Sequence, residues 1–360
     1  MAVPTPTPTY YFSRQNVPTG QSVVTRNVSA MQQLATDITT KIPGWTIFDN
    51  QLNVASPFIV LQANTSEQAA AFYVKFDMEA NQPYGPEISM WETWNAATHS
   101  GDNTRAVGYQ RWQWGPTFNV APSQTVSYWG CGSTDHLYIW MESASGQTLL
   151  PLYVGLMDKI RPDLDTTLNG AVLMAYVYES RQLDTPSYAL NVAPCTSTYG
   201  RIPYLRSKAN VIGESAHTYD TTPWSQSYNN TIVRENGTLY GTGRGWLGPW
   251  NYSQAGYGVY PRTQWYRIMV SELPTSWGPR GYLKSVLFHG GAGYDFPPPH
   301  RAKVRIASRD YLILAVTNKD GGYPFDTNAW GTAGGLANIE RHPSFLMPTS
   351  DWYTNAYITA

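Results

Sequence analysis

The alternation of apolar and polar side chains is clearest between residues 71 and 78. Every second residue is apolar, and those between them are Tyr73, Lys75 and Asp77. The apolar positions are Phe72, Val74, Phe76 and Met78. A period of two is typical of a strand with one face in a core. With the apolar run at residues 58–61, this pattern predicts a half-buried hairpin.

Strand patterns recur along the rest of the chain. Tyr128-Trp129 and His136 are expected to lie in two strands separated by a break at residues 130–135. Further strands are expected at residues 45–49, 136–141, 152–156, 264–270, 281–288 and 310–316. Long Gly- and Trp-rich loops, as at residues 241–250, connect them. The sequence therefore predicts a mainly β, β-rich α+β fold, built of antiparallel sheets or a sandwich.

A helical period appears once, near the N-terminus. Apolar residues at helical spacing predict a helix over residues 30–41, with Ser29 and Gln32 in a capping-box pattern and Pro43-Gly44 ending it. The narrow apolar stripe indicates that this helix lies on a sheet. Its members are Met31, Leu34, Ala35 and Ile38.

The chain divides into three predicted parts. Residues 1–12 form an extended arm, because Pro4, Pro6 and Pro8 alternate with Thr and favour a polyproline-like conformation that lies across a neighbour at low entropic cost. An ordinary frayed terminus is the alternative. Residues 13–180 and 198–360 form two β-rich domains, separated by an aperiodic stretch with Pro186 and Pro194.

The composition indicates contacts with protein. Only 14% of residues are charged, against about 25% in typical soluble domains, while 14% are aromatic and 14 residues are Trp. The 17 Arg outnumber the 7 Lys, the bias found in interface cores. A net charge of -1 gives no basic excess for nucleic acid or an anionic membrane surface.

No catalytic, cofactor or metal site is predicted. The six histidines are scattered singly, Cys131 and Cys195 are far apart, and hydrolase and phosphate-loop motifs are absent from the sequence. Asp135 and His136 are expected to point to opposite faces of a strand, which excludes a carboxylate–imidazole couple. Glu87, Glu92, Asp135 and Glu142 could supply a carboxylate pair acting on sugars, but nothing in the sequence pairs them, and a chain with 25 acids offers similar candidates elsewhere.

The candidate interface is aromatic and proline-rich. It comprises the three arm prolines and six tryptophans in Gly- and Pro-rich connections: Pro4, Pro6, Pro8, Trp91, Trp94, Trp112, Trp114, Trp246 and Trp250. Trp112, Trp114, Trp246 and Trp250 are also possible platforms for a sugar ring. Burial in the core is the alternative for each.

An ordered succession of short motifs carries a family resemblance over about residues 10–165. It runs from Gly44-Trp45-Thr46-Ile47-Phe48-Asp49 through Pro57-Phe58-Ile59-Val60-Leu61, Trp94-Asn95-Ala96-Ala97-Thr98-His99-Ser100-Gly101, Tyr128-Trp129, Asp135-His136-Leu137 and Tyr153-Val154-Gly155-Leu156 to Arg161-Pro162. This succession resembles a family of tailed-bacteriophage virion structural proteins. The resemblance implies a multicopy particle component of the neck, collar, tail or baseplate, without catalytic residues.

The expected partners follow from these observations. We expect contacts with other copies of the chain and other virion proteins, no nucleic acid, no membrane and no cofactor, and assembly in the host cytoplasm into the virion. A carbohydrate-binding tail component that contacts the host surface is the alternative function. A secreted glycan-active enzyme is a third.

Overall fold

The computed structural model describes the regular elements and their nearest connections. The described residues are 8–20, 23–64, 71–78, 86–101, 106–111, 124–143, 148–159, 171–175, 204–205, 232–233, 239–240, 246–247, 266–272, 278–289, 301–306, 309–315, 344–349 and 352–353. Within them the fold is mostly β, with antiparallel sheets and a single helix. The predicted fold class is confirmed.

The elements follow one another as one strand, one helix and 22 further strands. Their bounds are β1 Pro8–Pro18, α1 Val23–Lys41, β2 Trp45–Gln51, β3 Phe58–Ala63, β4 Phe72–Asp77, β5 Glu87–Trp91, β6 Trp94–Asn95, β7 Ser100–Gly101, β8 Ala106–Arg111, β9 Thr125–Ser133, β10 His136–Ser143, β11 Thr148–Leu156, β12 Asp158–Lys159, β13 Ala171–Ala175, β14 Tyr204–Leu205, β15 Ile232–Val233, β16 Leu239–Tyr240, β17 Trp246–Leu247, β18 Tyr266–Glu272, β19 Gly278–His289, β20 Lys303–Ile306, β21 Arg309–Ala315, β22 Ser344–Pro348 and β23 Trp352–Tyr353.

Three larger sheets organise these strands. The first sheet has the order β14-β13-β11-β10-β9-β1-β23, and the five-stranded sheet has the order β2-β3-β4-β5-β8. The third sheet has the order β17-β18-β19-β22-β21-β20, with β12 also paired to β19. Two short hairpins, β6–β7 and β15–β16, stand beside them. The expected half-buried hairpin is the β3–β4 pair, in which Phe58 lies opposite Asp77 and Ala63 opposite Phe72.

One core is shared by the helix, the five-stranded sheet and the first sheet. The inward residues of β4, Phe72, Val74 and Phe76, are at most 2% exposed, as the alternation predicts. Helix α1 contributes Met31, Leu34 and Ile38, and the first sheet contributes side chains from β1, β9, β10 and β11. Burial of this apolar surface is the main stabilising contribution to this part of the fold.

The helix is longer than predicted. It begins at Val23, so Ser29 lies inside it and the capping-box interpretation is wrong. The β-branched residues Val23, Val24 and Thr25 have low helix propensity, which conceals the helical spacing of Val28 with Met31. Packing of Val28 against the core outweighs that propensity.

The predicted break after Trp129 is also wrong at its start. Residues 130–133 continue β9, and only Thr134 and Asp135 form the turn to β10. A Cβ at Gly130 would lie 2.1 Å from the Phe12 ring. Gly130 is therefore there because the Phe12 ring of β1 lies directly on the strand backbone.

The predicted domain boundary at residues 181–197 lies outside the described residues. Strands from the two predicted domains nevertheless pair, β12 with β19 and β13 with β14, and the part of β1 in the predicted arm pairs with β23 through Pro8 and Thr9. The first and third sheets therefore both include strands from each side of the predicted boundary.

Candidate functional site

A cluster of polar side chains is buried where the first and third sheets meet. We call it the buried polar cluster, and it consists of the buried residues Ser133, Asp135, His136 and Lys284 together with the half-buried Ser285 at its edge. Asp135 occupies the β9–β10 turn and His136 begins β10, whereas Lys284 and Ser285 lie on β19. The side chains of Asp135 and His136 are 0% exposed and that of Lys284 is 4% exposed. Such burial of charge is costly unless each group is paired.

Departures from regular strand geometry bring neighbouring residues to the same cluster. Asp135 lies in the turn, so the rule that adjacent strand residues face opposite ways does not apply to it and His136. Their Oδ1 and Nδ1 atoms are 3.0 Å apart, so the expectation that they could not form a couple is wrong. On β19, Ser285 has a φ of 68° and lies in an irregular register against β18. This left-handed residue lets Lys284 and Ser285 both reach the cluster.

The hydrogen bonds of the cluster run in one consistent direction. Lys284 Nζ donates to Asp135 Oδ2 over 2.6 Å, and Ser133 Oγ donates to Asp135 Oδ1 over 2.5 Å. With its Nδ1 proton directed at that carboxylate, neutral His136 has Nε2 as an acceptor, 2.9 Å from Ser285 Oγ. Ser285 then donates to His136 and accepts from Thr9, whose Oγ1 is 2.8 Å away. Each of these cluster side chains therefore has a hydrogen-bond partner.

The pKa values reflect this pairing. Burial raises the pKa of the Asp135 carboxyl, but the Lys284 charge and the His136 contacts outweigh burial and hold it well below its usual range. Burial lowers the pKa of His136, and the Lys284 charge adds to this effect against the opposing influence of Asp135. At neutral pH the cluster therefore holds one carboxylate, one ammonium and a neutral imidazole.

Tyr153 and Gly155 of β11 complete the surroundings. The Tyr153 ring stacks on His136 with centroids 5.9 Å apart, and its hydroxyl accepts from Lys284 N and donates to the Leu156 carbonyl. Gly155 has a φ of 131°, and a Cβ there would lie 2.3 Å from the Asp135 carbonyl oxygen. Leu156 N donates to that same oxygen over 2.8 Å. The backbone of β11 therefore fixes the turn that carries Asp135.

The order Ser285–His136–Asp135 matches the hydrogen-bonded line of a serine hydrolase. Three features distinguish the buried polar cluster from the active site of a serine hydrolase. Lys284 occupies the second oxygen of Asp135, His136 has no exposed surface, and the Thr9 hydroxyl lies against Ser285, the position a substrate would need. The hydrogen bonds of the cluster connect β1, the β9–β10 turn and β19.

A second buried acid joins β10 to the start of β20. Glu142, 0% exposed, accepts from Trp140 Nε1 over 3.1 Å and pairs with the Arg301 guanidinium, which stands 4.9 Å over the Trp129 ring. Asp135 in the turn before β10 and Glu142 near the end of β10 are seven residues apart, about 23 Å at the rise of an extended strand. That separation exceeds the ~10 Å limit for a pair of glycosidase carboxylates, so these two acids do not form one.

A third polar group supports the outer face of the five-stranded sheet. Asp49 Oδ2 lies 2.9 Å from both Trp94 Nε1 and His99 Nδ1. Trp94 is 8% exposed, and its ring contacts Phe58 edge-on. Burial raises the pKa of Asp49, but the hydrogen bonds from His99 and Trp94 outweigh it and leave the pKa lowered.

An aromatic ridge, formed by Phe48, Tyr73 and Trp91, lies beside this group. The Phe48 and Tyr73 rings meet edge-on at 5.0 Å, and Tyr73 is directly opposite Trp91 in the β4–β5 pair. Phe48 is 38% exposed, and Ile47 beside it is 39% exposed. Phe48 therefore presents exposed aromatic surface, whereas Tyr73 and Trp91 are half-buried and pack against the core.

The predicted interface residues are only partly described. Trp91 lies on the ridge, Trp94 is buried beside Asp49, and Pro8 opens β1 opposite Tyr353. Trp246 lies in β17 opposite Ser271. Pro4, Pro6, Trp112, Trp114 and Trp250 lie outside the described residues. A contact of any of them with a partner stays a prediction.

The sequence interpretation considered Asp135 and His136 but rejected them as a couple, and it missed Ser133, Lys284 and Ser285. A signal existed at Lys284, one of only 7 lysines, which interrupts the apolar run of Leu283, Val286 and Leu287. A charge inside an apolar strand indicates a buried partner.

The described residues contain no group of three or more His, Cys, Asp or Glu side chains suited to a metal ion. Cys131 is buried and free, burial raises the pKa of its thiol, and Cys195 lies outside the described residues. No helix in the described part of the chain is long and apolar enough to cross a membrane.

Neither comparison with known proteins gives a relative. A scan against protein-family models finds no match, and a search of curated proteins finds none.

Proposed function

We propose that the chain is a structural subunit of a tailed-phage particle, in the neck, collar, tail or baseplate, and acts through contacts with its own copies and other virion proteins. The observation that carries the proposal is the aromatic ridge, with Phe48 38% exposed in a chain with only 14% charged residues. Exposed aromatic surface of this kind is typical of protein contact sites. The ordered motifs between residues 10 and 165 supply the phage part of the proposal.

The buried polar cluster supports a role without catalysis. The Asp135 carboxylate is paired with Lys284, the His136 imidazole is buried, and the Ser285 hydroxyl is hydrogen-bonded to Thr9. A structural subunit benefits from such a connection, because buried and fully paired polar groups favour one arrangement of the sheets over others.

Purified particles provide the direct test. If the chain is a virion component assembled in the host cytoplasm, mass spectrometry of purified virions finds it at a fixed ratio to other particle proteins. Its absence from particles that contain all other structural proteins would overturn the proposal.

The carbohydrate-binding alternative also has an observation in its favour. Tyr73 and Trp91 are half-buried aromatic residues beside the polar side chains Gln62 and Ser89, and sugar sites combine aromatic and polar side chains in this way. A glycan array decides it. Binding that Trp91→Ala abolishes would support the alternative, and a blank array with unchanged host adsorption of a Trp91→Ala phage would exclude it.

A further inference from the structure

The ion pair between Lys284 and Asp135 is placed for a reaction between its two partners. Lys284 Nζ donates to Asp135 Oδ2 over 2.6 Å, and this oxygen is bonded to Cγ, the carbon that an amine attacks. Nζ therefore needs only to move from the edge of the carboxyl group to its face. Well-oriented groups within one molecule react as if their concentration were as high as about 10⁸ M. The two residues lie 149 positions apart in the chain, so the fold supplies this proximity.

Burial removes what usually opposes the condensation of an amine with a carboxylic acid. In water, hydration stabilises the ammonium and the carboxylate ions relative to the amide. Lys284 is 4% exposed and Asp135 is 0% exposed, so most of this hydration is already lost. Transfer of one Nζ proton to Oδ2 gives the neutral amine and the neutral acid, which burial disfavours less than the ions. The ion pair is the resting form, and the neutral pair is the minor form that reacts.

The other carboxyl oxygen of Asp135 is held by two donors. Ser133 Oγ donates to Oδ1 over 2.5 Å, and the Nδ1 proton of His136 is directed at the same oxygen over 3.0 Å. When Nζ attacks Cγ, negative charge develops on the oxygen that stays, and fixed donors at that oxygen stabilise the tetrahedral intermediate. Oδ1 is therefore suited to become the amide carbonyl oxygen, and Oδ2, beside the lysine protons, is suited to leave.

We propose that Lys284 and Asp135 condense to an isopeptide bond, which links the β9–β10 turn covalently to β19. The Nζ–Cγ bond forms and the Cγ–Oδ2 bond breaks. Oδ2 receives two of the three Nζ protons and leaves as water, and the third proton stays on the amide nitrogen. The chain reacts once with itself and turns over no substrate. This cross-link goes beyond the proposed assembly function, and neither depends on the other.

Two other ion pairs show why the Lys284–Asp135 pair is chosen. Arg301 pairs with the buried Glu142, but a guanidinium stays protonated and is not a nucleophile. Lys75 Nζ lies 2.7 Å from Asp77 Oδ2, but 22% and 19% of these two side chains are exposed. Water therefore stabilises the ions of the Lys75–Asp77 pair and opposes their condensation.

Mass spectrometry of the unfolded full chain tests the proposal. The parent chain should be lighter than its sequence mass by one water, and proteolysis should release a branched peptide that joins Lys284 to Asp135. A succinimide at Asp135 also removes one water, but its peptides are unbranched. A parent chain with its full sequence mass, or one water lighter with unbranched peptides only, would overturn the proposal.

Lys284→Arg is the diagnostic variant, because it keeps a positive charge beside Asp135 but cannot form the amide. It should have its full sequence mass, and a loss of water that persists in it would overturn the proposal. Lys75→Arg is the matched control and should keep the loss of one water. In a denaturing gel, the parent and Lys75→Arg should migrate faster than Lys284→Arg, because the link closes a loop of 149 positions and compacts the unfolded chain. If Lys284→Arg does not fold, the branched peptide of the parent still decides.

Discussion

The buried polar cluster and the aromatic ridge carry the opposite kinds of side chain from those expected at their depth. In the cluster, Asp135, His136 and Lys284 are at most 4% exposed, in the interior where apolar residues are the norm. On the ridge, Phe48 faces outward with 38% of its surface exposed, where charge is the norm. The chain thus places part of its small set of charges inside and part of its large aromatic set outside.

The difference teaches what each region contributes. A paired buried charge adds little net stability relative to an apolar core, but it penalises every arrangement in which the pair is broken. The cluster therefore specifies how the first and third sheets meet. An exposed aromatic residue adds little to the fold and becomes favourable when a partner covers it. The proposed function therefore assigns the ridge to contacts outside the chain.

Removing one partner of the buried ion pair should have the largest effect. Lys284→Met leaves the Asp135 carboxylate buried and unpaired, and the free energy of unfolding should fall by about 3–5 kcal/mol in urea denaturation. Lys303→Met is the control, because Lys303 is exposed on β20, and it should change stability by less than about 0.5 kcal/mol. Equal losses in the two variants would contradict the role of the cluster.

A substitution at Ser285 tests whether the buried polar cluster is structural or a hydrolase site. Ser285→Ala leaves His136 Nε2 and the Thr9 hydroxyl without their shared partner, and stability should fall by about 1–3 kcal/mol. Ser56→Ala, at an exposed position, is the control. A fluorophosphonate probe should not label the full chain. Labelling of Ser285 would show an accessible nucleophile and reject the interpretation of the cluster as closed.

The pH dependence of stability should show the neutral state of His136. Because burial lowers its pKa, the unfolded chain takes up this proton near its ordinary pKa of about 6.5 while the folded chain does not. Stability should therefore fall as the pH drops below about 6.5, by up to about 1.4 kcal/mol per pH unit. The charged groups that act on His136 are Asp135, Lys284 and Asp158. Unfolding curves of His136→Asn should lack this contribution, and an unchanged slope would contradict it.

The regular parts of the fold were readable from the sequence because burial follows the strand period there. Phe72, Val74 and Phe76 are each at most 2% exposed, as their alternation predicts. The end of α1 was readable from Pro43-Gly44, but its beginning was concealed by β-branched residues that favour strands when taken alone. At the beginning of α1, packing against the core outweighs the local strand propensity.

The buried polar cluster was not readable, because it depends on two departures from the strand period. Asp135 and His136 converge only because Asp135 is in a turn, and Lys284 and Ser285 converge only because Ser285 has a φ of 68°. The two pairs lie 149 positions apart in the chain. No local pattern fixes the register that brings them together.

Changes on the ridge should have the smallest effect on the fold and a clear effect on association. Phe48→Ser removes one edge-on contact with Tyr73, and such aromatic pairs contribute about 0.5–1.5 kcal/mol, so the loss of stability should stay near the lower end at this exposed position. In sedimentation velocity at rising concentration, the parent chain should associate and Phe48→Ser should associate more weakly. Val54→Ser, also at an exposed apolar position, should behave like the parent. If Phe48→Ser instead unfolds the chain, the ridge belongs to the core, and the contrast between charges that organise the interior and aromatics that serve the exterior fails.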